Sequence, residues 1–501
     1  MCCRGHSSPE VCPQDTIDVL IIGCGIVGAS AAYELSRYKL SIMAIDRLYD
    51  IAGETTRANS GIVHAGYDPE PGSIMARLNV RGSKLIRELC VKLDVPYKQN
   101  GSLVIGFNDT DKATIEKLYR RGLANKVHGL EIISGDDARV LEPNLSPDVL
   151  CALNVPGGGI VSPWELAVAL AETAKRNGVV FMLGTEVTGI TKVEGRYLAA
   201  TSTGNIKARV VVNAAGLHAD TVHGFLKEPD FSITPNKGQY FLLDKSAGDL
   251  VSRTIFQCPN EFGKGVLVTP TIHGNLLIGP SRENVECREN VDTDVNMLNN
   301  VLQTARRSIP GLNIRENIRN FAGIRAVTDC DDFIIRETEK GFYDLAGIKS
   351  PGLTAAPAIA EELIRMMKEP DKAGRSFSDS SNLELIPKDT YIDERKVSRF
   401  RYMGAKQRAV KIRKNPAYGS IACRCENITE GEIIDAFDSP LPPTTLDAVK
   451  RRCHAGMGRC QGGFCAPKII SLIAGNFGIA PQDVLKDREG SNIVIGEKRK
   501  I

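Results

Sequence analysis

The spacing of apolar positions changes along the chain, and each change marks an element. Asp18-Val19-Leu20-Ile21-Ile22 is a short, nearly continuous apolar run. Closed by turn residues, such a run reads as a buried strand. Gly23-Cys24-Gly25-Ile26-Val27-Gly28 closes it, and a helical pattern continues through Tyr33, Glu34 and Leu35. A second apolar run over residues 40–45 ends at Asp46. Leu78, Leu85, Ile86, Leu89 and Leu93 share one helical face,. A charged helix is expected over 114–122. Ser162 before Pro163 starts another, which runs through Ala174 and stops before Gly178,.

The downstream pattern is richer in strands. Residues 179–183 and 186–190 read as strands followed by a hairpin. Ala208-Arg209-Val210-Val211-Val212-Asn213-Ala214-Ala215-Gly216 is a buried strand ending in small residues, so its end lies close to something bulky. Residues 230–320 alternate with Gly turns and read as a largely antiparallel domain. This stretch holds Lys237-Gly238-Gln239-Tyr240 and Gly263-Lys264-Gly265. Ser350-Pro351-Gly352-Leu353-Thr354 precedes a helix expected at 358–367, offering a second helix N-terminus to an electron-rich group,.

The first turn carries the clearest chemistry. A helix start presents unpaired N–H groups and a positive dipole end, which suits a pyrophosphate. Gly23 permits the turn, Gly25 lets the backbone approach phosphates, and Gly28 lets the helix pack on the strand. Asp46, 23 residues beyond Gly23, stands where a carboxylate accepts from ribose hydroxyls,. NAD and FAD both use this unit. The glycine- and hydroxyl-rich stretch 53–67 can return to the pyrophosphate, or be an ordinary loop with one histidine.

Composition narrows the setting. The 501 residues are 42% apolar and 25% charged, with a formal charge of +3, so a large core is available and nucleic-acid binding gains no support,. Of fourteen cysteines, nine are scattered and five lie between Cys423 and Cys465. That is not a secreted disulfide framework; it favours a reducing, cytoplasmic setting and a local metal site. No signal peptide is visible, and the glycines in 17–35 argue against a membrane span. Residues 1–15 read as a disordered tail, with Met1-Cys2-Cys3 open to acylation or simply part of it. Residues 371–418 read as linker and basic segment: from Arg395 to Arg424 there are ten Lys or Arg and no Asp or Glu. Such a run is a solvated face or a docking surface for an acidic partner.

Together the Gly23–Gly28 turn, Asp46, Asn59-Ser60-Gly61-Ile62-Val63-His64-Ala65-Gly66, the Val212–Gly216 strand end and Ser350–Thr354 resemble the D-amino-acid-oxidase-like FAD superfamily. Within it the chain looks most like FAD-dependent glycerol-3-phosphate dehydrogenases, with 2-hydroxyglutarate oxidases as near relatives. The likeness covers residues 16–370. Cys423-Arg424-Cys425 and Cys460-Gln461-Gly462-Gly463-Phe464-Cys465 resemble bacterioferritin-associated-ferredoxin-like [2Fe–2S] domains. Four thiolates suit that cluster or a structural zinc. Cys453 is left outside the ligand set.

The resemblance implies an α/β FAD-binding Rossmann-like domain, an interleaved antiparallel β-sheet substrate domain, and a small helical C-terminal iron–sulfur domain. The FAD lobe would take about 16–90, 145–225 and 322–370. The substrate lobe would take 91–144 and 226–321, the [2Fe–2S] domain 419–480, and a tail 481–501. Cofactor-binding residues would be Gly23, Gly25, Ile26, Val27, Gly28, Asp46, Thr55, Thr56, Asn59, Ser60, Gly61, Val187, Ala215, Gly216, Pro351, Gly352, Leu353 and Thr354. Of these Val187, with Glu186, would lie beside the adenine half, and the Pro351–Thr354 turn beside the flavin N1/O2 edge.

Oxidation of a secondary alcohol moves a hydride to the flavin while a base takes the hydroxyl proton. Histidine titrates near neutrality, and the resemblance puts the base at His64. Arg325 offers a planar fork for phosphate or carboxylate, and Lys264 a point charge between glycines. The alternative for Arg325 is an ion pair with Asp329, Asp331 or Asp332. The 2-hydroxyglutarate-oxidising relatives tend to lack a lysine at Lys264, which favours glycerol 3-phosphate over a 2-hydroxy acid or secondary amine. Cys423, Cys425, Cys460 and Cys465 would hold the cluster, which would relay electrons to a redox partner protein or subunit. An electron-transfer subunit is the alternative of another class. No integral membrane segment is expected, and any membrane association would be peripheral, through a partner. His273 falls in a hairpin turn and is expected to face solvent. Cys24 is expected to be a buried filler.

Overall fold

The computed structural model describes residues 16–259, 265–368 and 383–496. The expected tail 1–15, the first part of the linker (371–382) and Lys264 lie outside the described residues. Strand β1 (Ile17–Ile22), helix α1 (Ile26–Leu35) and strand β2 (Ile42–Asp46) follow the order read from the sequence. β1 lies at the middle of an eight-stranded sheet, parallel to β2 on one side and to strand Gly204–Asn213 on the other. Val180–Leu183 extends it beyond β2, and Phe342–Ala346 joins Gly204–Asn213 in parallel. β1 is a continuous apolar run because both faces of this sheet are covered. Ala29, Ala31, Ala32 and Leu35 of α1 are fully buried, in one core with helices Pro163–Arg176 and Gly352–Lys368. The opposite face carries Tyr197, Val222 and Phe342.

A nine-stranded sheet forms the second lobe. Its longest pairing joins Ile233–Leu243 antiparallel to Asn317–Thr328. The sheets divide the chain somewhat differently from the expected boundaries. Cys151–Val155, expected in the FAD lobe, is a strand of this second sheet, paired with Ser102–Gly106. The strand Asn317–Thr328 carries the second sheet past residue 321. Its length is set by ladder hydrogen bonds to the partner strand, which apolar alternation does not reveal.

A C-terminal domain follows, with a small hairpin and helices Glu430–Phe437, Leu446–Cys453 and Ala466–Phe477 around Ile433, Val449, Ile470 and Ile473. Thr429 and Glu432 form a capping box at the first of these helices,. Val484 is buried in the same core and Val494 packs against it, so the described part of the segment expected to be a tail from 481 is fastened to the domain. The described part of the linker is also fastened down. Lys39 N donates to Ile386 O, Arg395 pairs with Glu172 at 2.7 Å, and Phe400 N donates to Glu432 Oε1. Helix Ala405–Lys414 buries none of its residues, as a solvated basic face would. No helix among the described residues is long and apolar enough to cross a membrane.

Candidate active site and cofactor sites

The glycine turn opens onto a cavity of about 560 Å³ between the two lobes. Gly23 holds φ at +101°, and a Cβ there would collide with the Ala214 carbonyl. Gly25 caps α1, and the Ile26 N–H donates to Thr56 Oγ1 at 3.0 Å. Part of the helix start is thus already satisfied by a side chain. Asp46 accepts from Cys24 N at 2.7 Å and from Leu48 N at 2.9 Å. Burial outweighs these bonds and pushes its carboxyl up to about 6,. Burial also raises the Cys24 thiol well above its ordinary value, in keeping with a filler.

Most of the expected cofactor residues line this cavity: Gly23, Gly25, Ile26, Val27, Asp46, Thr55, Thr56, Asn59, Ser60, Val187, Ala215, Gly216, Pro351, Gly352 and Leu353. Gly28, Gly61 and Thr354 stand behind it and act by packing. A Cβ on Gly28 would overlap the Gly23 carbonyl, and one on Gly61 would press on Val161 O at 2.6 Å. Thr354 is fully buried; its Oγ1 accepts from the His64 N–H at 2.9 Å and donates to Ile62 O. The cavity's lining, from the glycine cradle and the Asp46 carboxylate to Pro351 and Leu353, fits an extended dinucleotide with a ring system at the far end,.

His64 and Arg325 open into the same cavity. His64 Nε2 lies 3.4 Å from Ser350 Oγ, and its ring meets Phe256 at 5.9 Å. Asn79 donates to the His64 carbonyl at 2.7 Å, so the backbone is held from both sides. Arg325 donates to Asn236 Oδ1 at 2.7 Å and to the Ser281 carbonyl at 3.3 Å. Its expected alternative partner Asp332 instead accepts from Ile74 N and Met75 N, capping helix Ile74–Lys92. A Cβ at Gly238 would press on the guanidinium at Arg325 Nη2, so that glycine makes its room. Asn236 and Phe256 were not singled out from the sequence; Gly238 and Ser350 stood there only within their motifs, without a role of their own.

In the C-terminal domain, Cys423 meets Cys465 and Cys425 meets Cys460. The contact with Cys465 pulls the Cys423 thiol down to about 6, helped by the N–H groups of Gly456 and Glu426. Phe464 N–H and Gly462 N–H face Cys460. Four converging sulfurs with amides aimed at them fit a thiolate-bound cluster. Cys453 is different: its thiol donates to Val449 O, and burial pushes it up to about 12.

His273 is not at the surface. Its side chain is 11% exposed and its Nε2 lies 3.0 Å from Glu165 Oε1. His454 Nε2 reaches the same oxygen at 2.8 Å. The hairpin carrying His273 is covered by the C-terminal domain, a contact between segments 181 residues apart that no local pattern encodes.

Residues 18–366 match the family model described as FAD dependent oxidoreductase (DAO), and residues 421–475 match the BFD-like [2Fe-2S] binding domain. A glycerol 3-phosphate dehydrogenase of Caloramator mitchellensis is 43% identical, over 96% of this chain and 98% of that protein. A glycerol 3-phosphate oxidase of Mycoplasma pneumoniae is 34% identical, over 71% of this chain and 95% of its own length. The structure of the dithionite-reduced L-alpha-glycerophosphate oxidase of Mycoplasma pneumoniae with FAD bound superposes with a TM-score of 0.71 at 32% identity, covering 77% of this chain and 99% of that one. The chain belongs to the FAD-dependent oxidoreductase (DAO) family, carries a BFD-like [2Fe–2S]-binding domain behind that fold, and takes FAD and a [2Fe–2S] cluster as its cofactors.

Proposed function

We propose that the protein oxidises glycerol 3-phosphate to dihydroxyacetone phosphate. The observation that carries this reading is that His64 and Arg325 both line the cavity that begins at the glycine turn. His64 Nε2 takes the proton of the substrate C2 hydroxyl as C2 loses its hydride. Ser350 Oγ, 3.4 Å away, helps to orient the ring. Arg325, fixed by Asn236 and Ser281, binds the phosphate through its remaining N–H groups,. Lys264 is assigned the second phosphate contact on the family resemblance. Bound FAD supplies the hydride acceptor, and the cluster held by Cys423, Cys425, Cys460 and Cys465 supplies the one-electron route to an external acceptor.

Two surface features support an external acceptor. Phe464, inside the Cys460–Cys465 loop, is 88% exposed. The basic helix Ala405–Lys414 is unburied and offers an acidic partner a complementary face,. The cysteine distribution favours a reducing, cytoplasmic setting for both.

The test is an anaerobic absorbance titration with glycerol 3-phosphate that follows the flavin and cluster bands together. Flavin bleaching followed by cluster reduction is expected. Bleaching by 2-hydroxyglutarate with an unchanged flavin under glycerol 3-phosphate would replace the substrate. Flavin bleaching with a cluster that stays oxidised would remove the relay.

A further inference from the structure

Three parts of the molecule meet at Glu165, His273 and His454. Glu165 is in the first turn of helix Pro163–Arg176, beneath the FAD lobe's first sheet. His273 lies between strands Leu267–Pro270 and Leu276–Gly279 of the second sheet. His454 ends helix Leu446–Cys453 of the C-terminal domain, held at φ +66°. Their side chains are 8%, 11% and 6% exposed.

We propose that Glu165, His273 and His454 form a binding site for a divalent transition metal, zinc being the ion that best suits it. Both imidazole Nε2 atoms converge on one carboxylate oxygen, at 2.8 and 3.0 Å. Tetrahedral ligands at about 2.1 Å from an ion stand roughly 3.4 Å apart, so these separations need to open by only about half an ångström to admit one. The three donor atoms all lie within 4.8 Å of one another. A hydrogen-bonded cluster accounts for only half of this. His454 Nε2 bonds to Glu165, whereas His273 Nε2 makes no hydrogen bond despite its 3.0 Å approach. A buried imidazole nitrogen this close to a carboxylate but poorly aligned with it is under-satisfied, and a metal held between the two would complete it,.

The surroundings are those of a supported ligand set. The second oxygen of Glu165 faces Arg399 at 3.5 Å, and Arg399 is pinned to Asp94 at 2.9 Å. Outer contacts of this kind fix a ligating carboxylate. Arg401, the next cation, has its own carboxylate in Glu426 at 3.3 Å. Two imidazoles and one carboxylate are borderline nitrogen and oxygen donors, suited to zinc and its neighbours and not to calcium. The four cluster cysteines take no part. The ion would clamp the C-terminal domain onto both lobes. It would also steady the segment after His454, whose Gly456 N–H faces Cys423.

The test uses the full chain with flavin, iron and acid-labile sulfide quantified. Elemental analysis should find about one zinc per chain beyond the cluster iron. After mild chelation, added Co2+ should give a visible band of nitrogen and oxygen ligation without thiolate charge-transfer bands. His273→Gln and Glu165→Gln should lose both signals and keep flavin and sulfide. Absence of any metal beyond cluster iron, with no Co2+ uptake, would overturn the site, as would uptake unchanged in the variants. Should a variant lose its flavin, zinc X-ray absorption on the unaltered protein decides: a shell with two imidazoles supports the site, and a sulfur shell refutes it.

Discussion

At Gly23 an added methyl group would collide with the Ala214 carbonyl, and φ of +101° strains any L side chain,. Gly23→Ala is therefore expected to purify with little or no flavin; full flavin content in that variant would contradict the packing. His64 faces a different demand. With His64 as the base, His64→Asn should lower turnover by about 10²- to 10⁴-fold while flavin stays bound. Stopped-flow flavin reduction measures that step directly, and an unchanged rate would move the base elsewhere. Asp46 ties the turn to pH. Its folded value of about 6 lies above the ordinary 3.8, so its share of stability is complete below about 3.8 and lost as pH rises through 6,.

Between elements, one carboxylate joins two helices. Glu362 of helix Gly352–Lys368 receives Arg365 at 2.6 Å and Arg77 of helix Ile74–Lys92 at 2.9 Å. Arg365 first, then Arg77, hold it down to about 2 against its burial. A depressed carboxylate stabilises the fold above its ordinary value of 4.5, and that share is lost as pH falls towards 2,. Glu362→Gln should lower the melting temperature at pH 7, and the difference from wild type should shrink steadily on acidification from pH 4.5. A gap that persists at the lowest pH would mean that packing, not charge, joins these helices.

Across the whole molecule, the C-terminal domain is locked on by buried charge. Asp50, just beyond β2, accepts from Arg451 at 2.7 Å and from Arg452 at 2.6 Å, with all three side chains buried. Removing the Asp50 carboxylate leaves two guanidiniums without their counter-charge, and breaking a buried pair in this way costs about 3–5 kcal/mol,. Asp50→Asn is expected to release the C-terminal domain at a lower temperature than the FAD fold. Differential scanning calorimetry would then resolve two transitions; a single transition at the wild-type temperature would show that the pair carries little of the docking. Arg57 to Asp487, at 3.0 Å, adds a second and more exposed link between the same parts.

How much was legible in the sequence follows the range of the forces involved. β1, the glycine turn, α1, β2 and Asp46 form within 30 residues, and their apolar period, turn glycines and carboxylate spacing are local properties. The cysteine spacing is local in the same sense, whereas Cys453 was set aside on the family resemblance alone. Arg325 was legible as a residue, but not its partners, because Asn236 comes from another strand of the second sheet and Ser281 from the connection after strand Leu276–Gly279. Thr354 was expected beside the cofactor, and in the structure it stands behind the cavity lining, its hydroxyl held by the backbone of Ile62 and His64. His273 went from expected solvent to the interior because a domain nearly two hundred residues away closes over its hairpin. By itself the sequence determined the dinucleotide-binding unit and the four-cysteine pattern, since each rests on short-range geometry, while the family, FAD and the [2Fe–2S] cluster came from the resemblance those motifs carry. Only the tertiary structure decided which side chains face one another across the cavity and where Glu165, His273 and His454 meet, since packing between distant segments sets burial and contact.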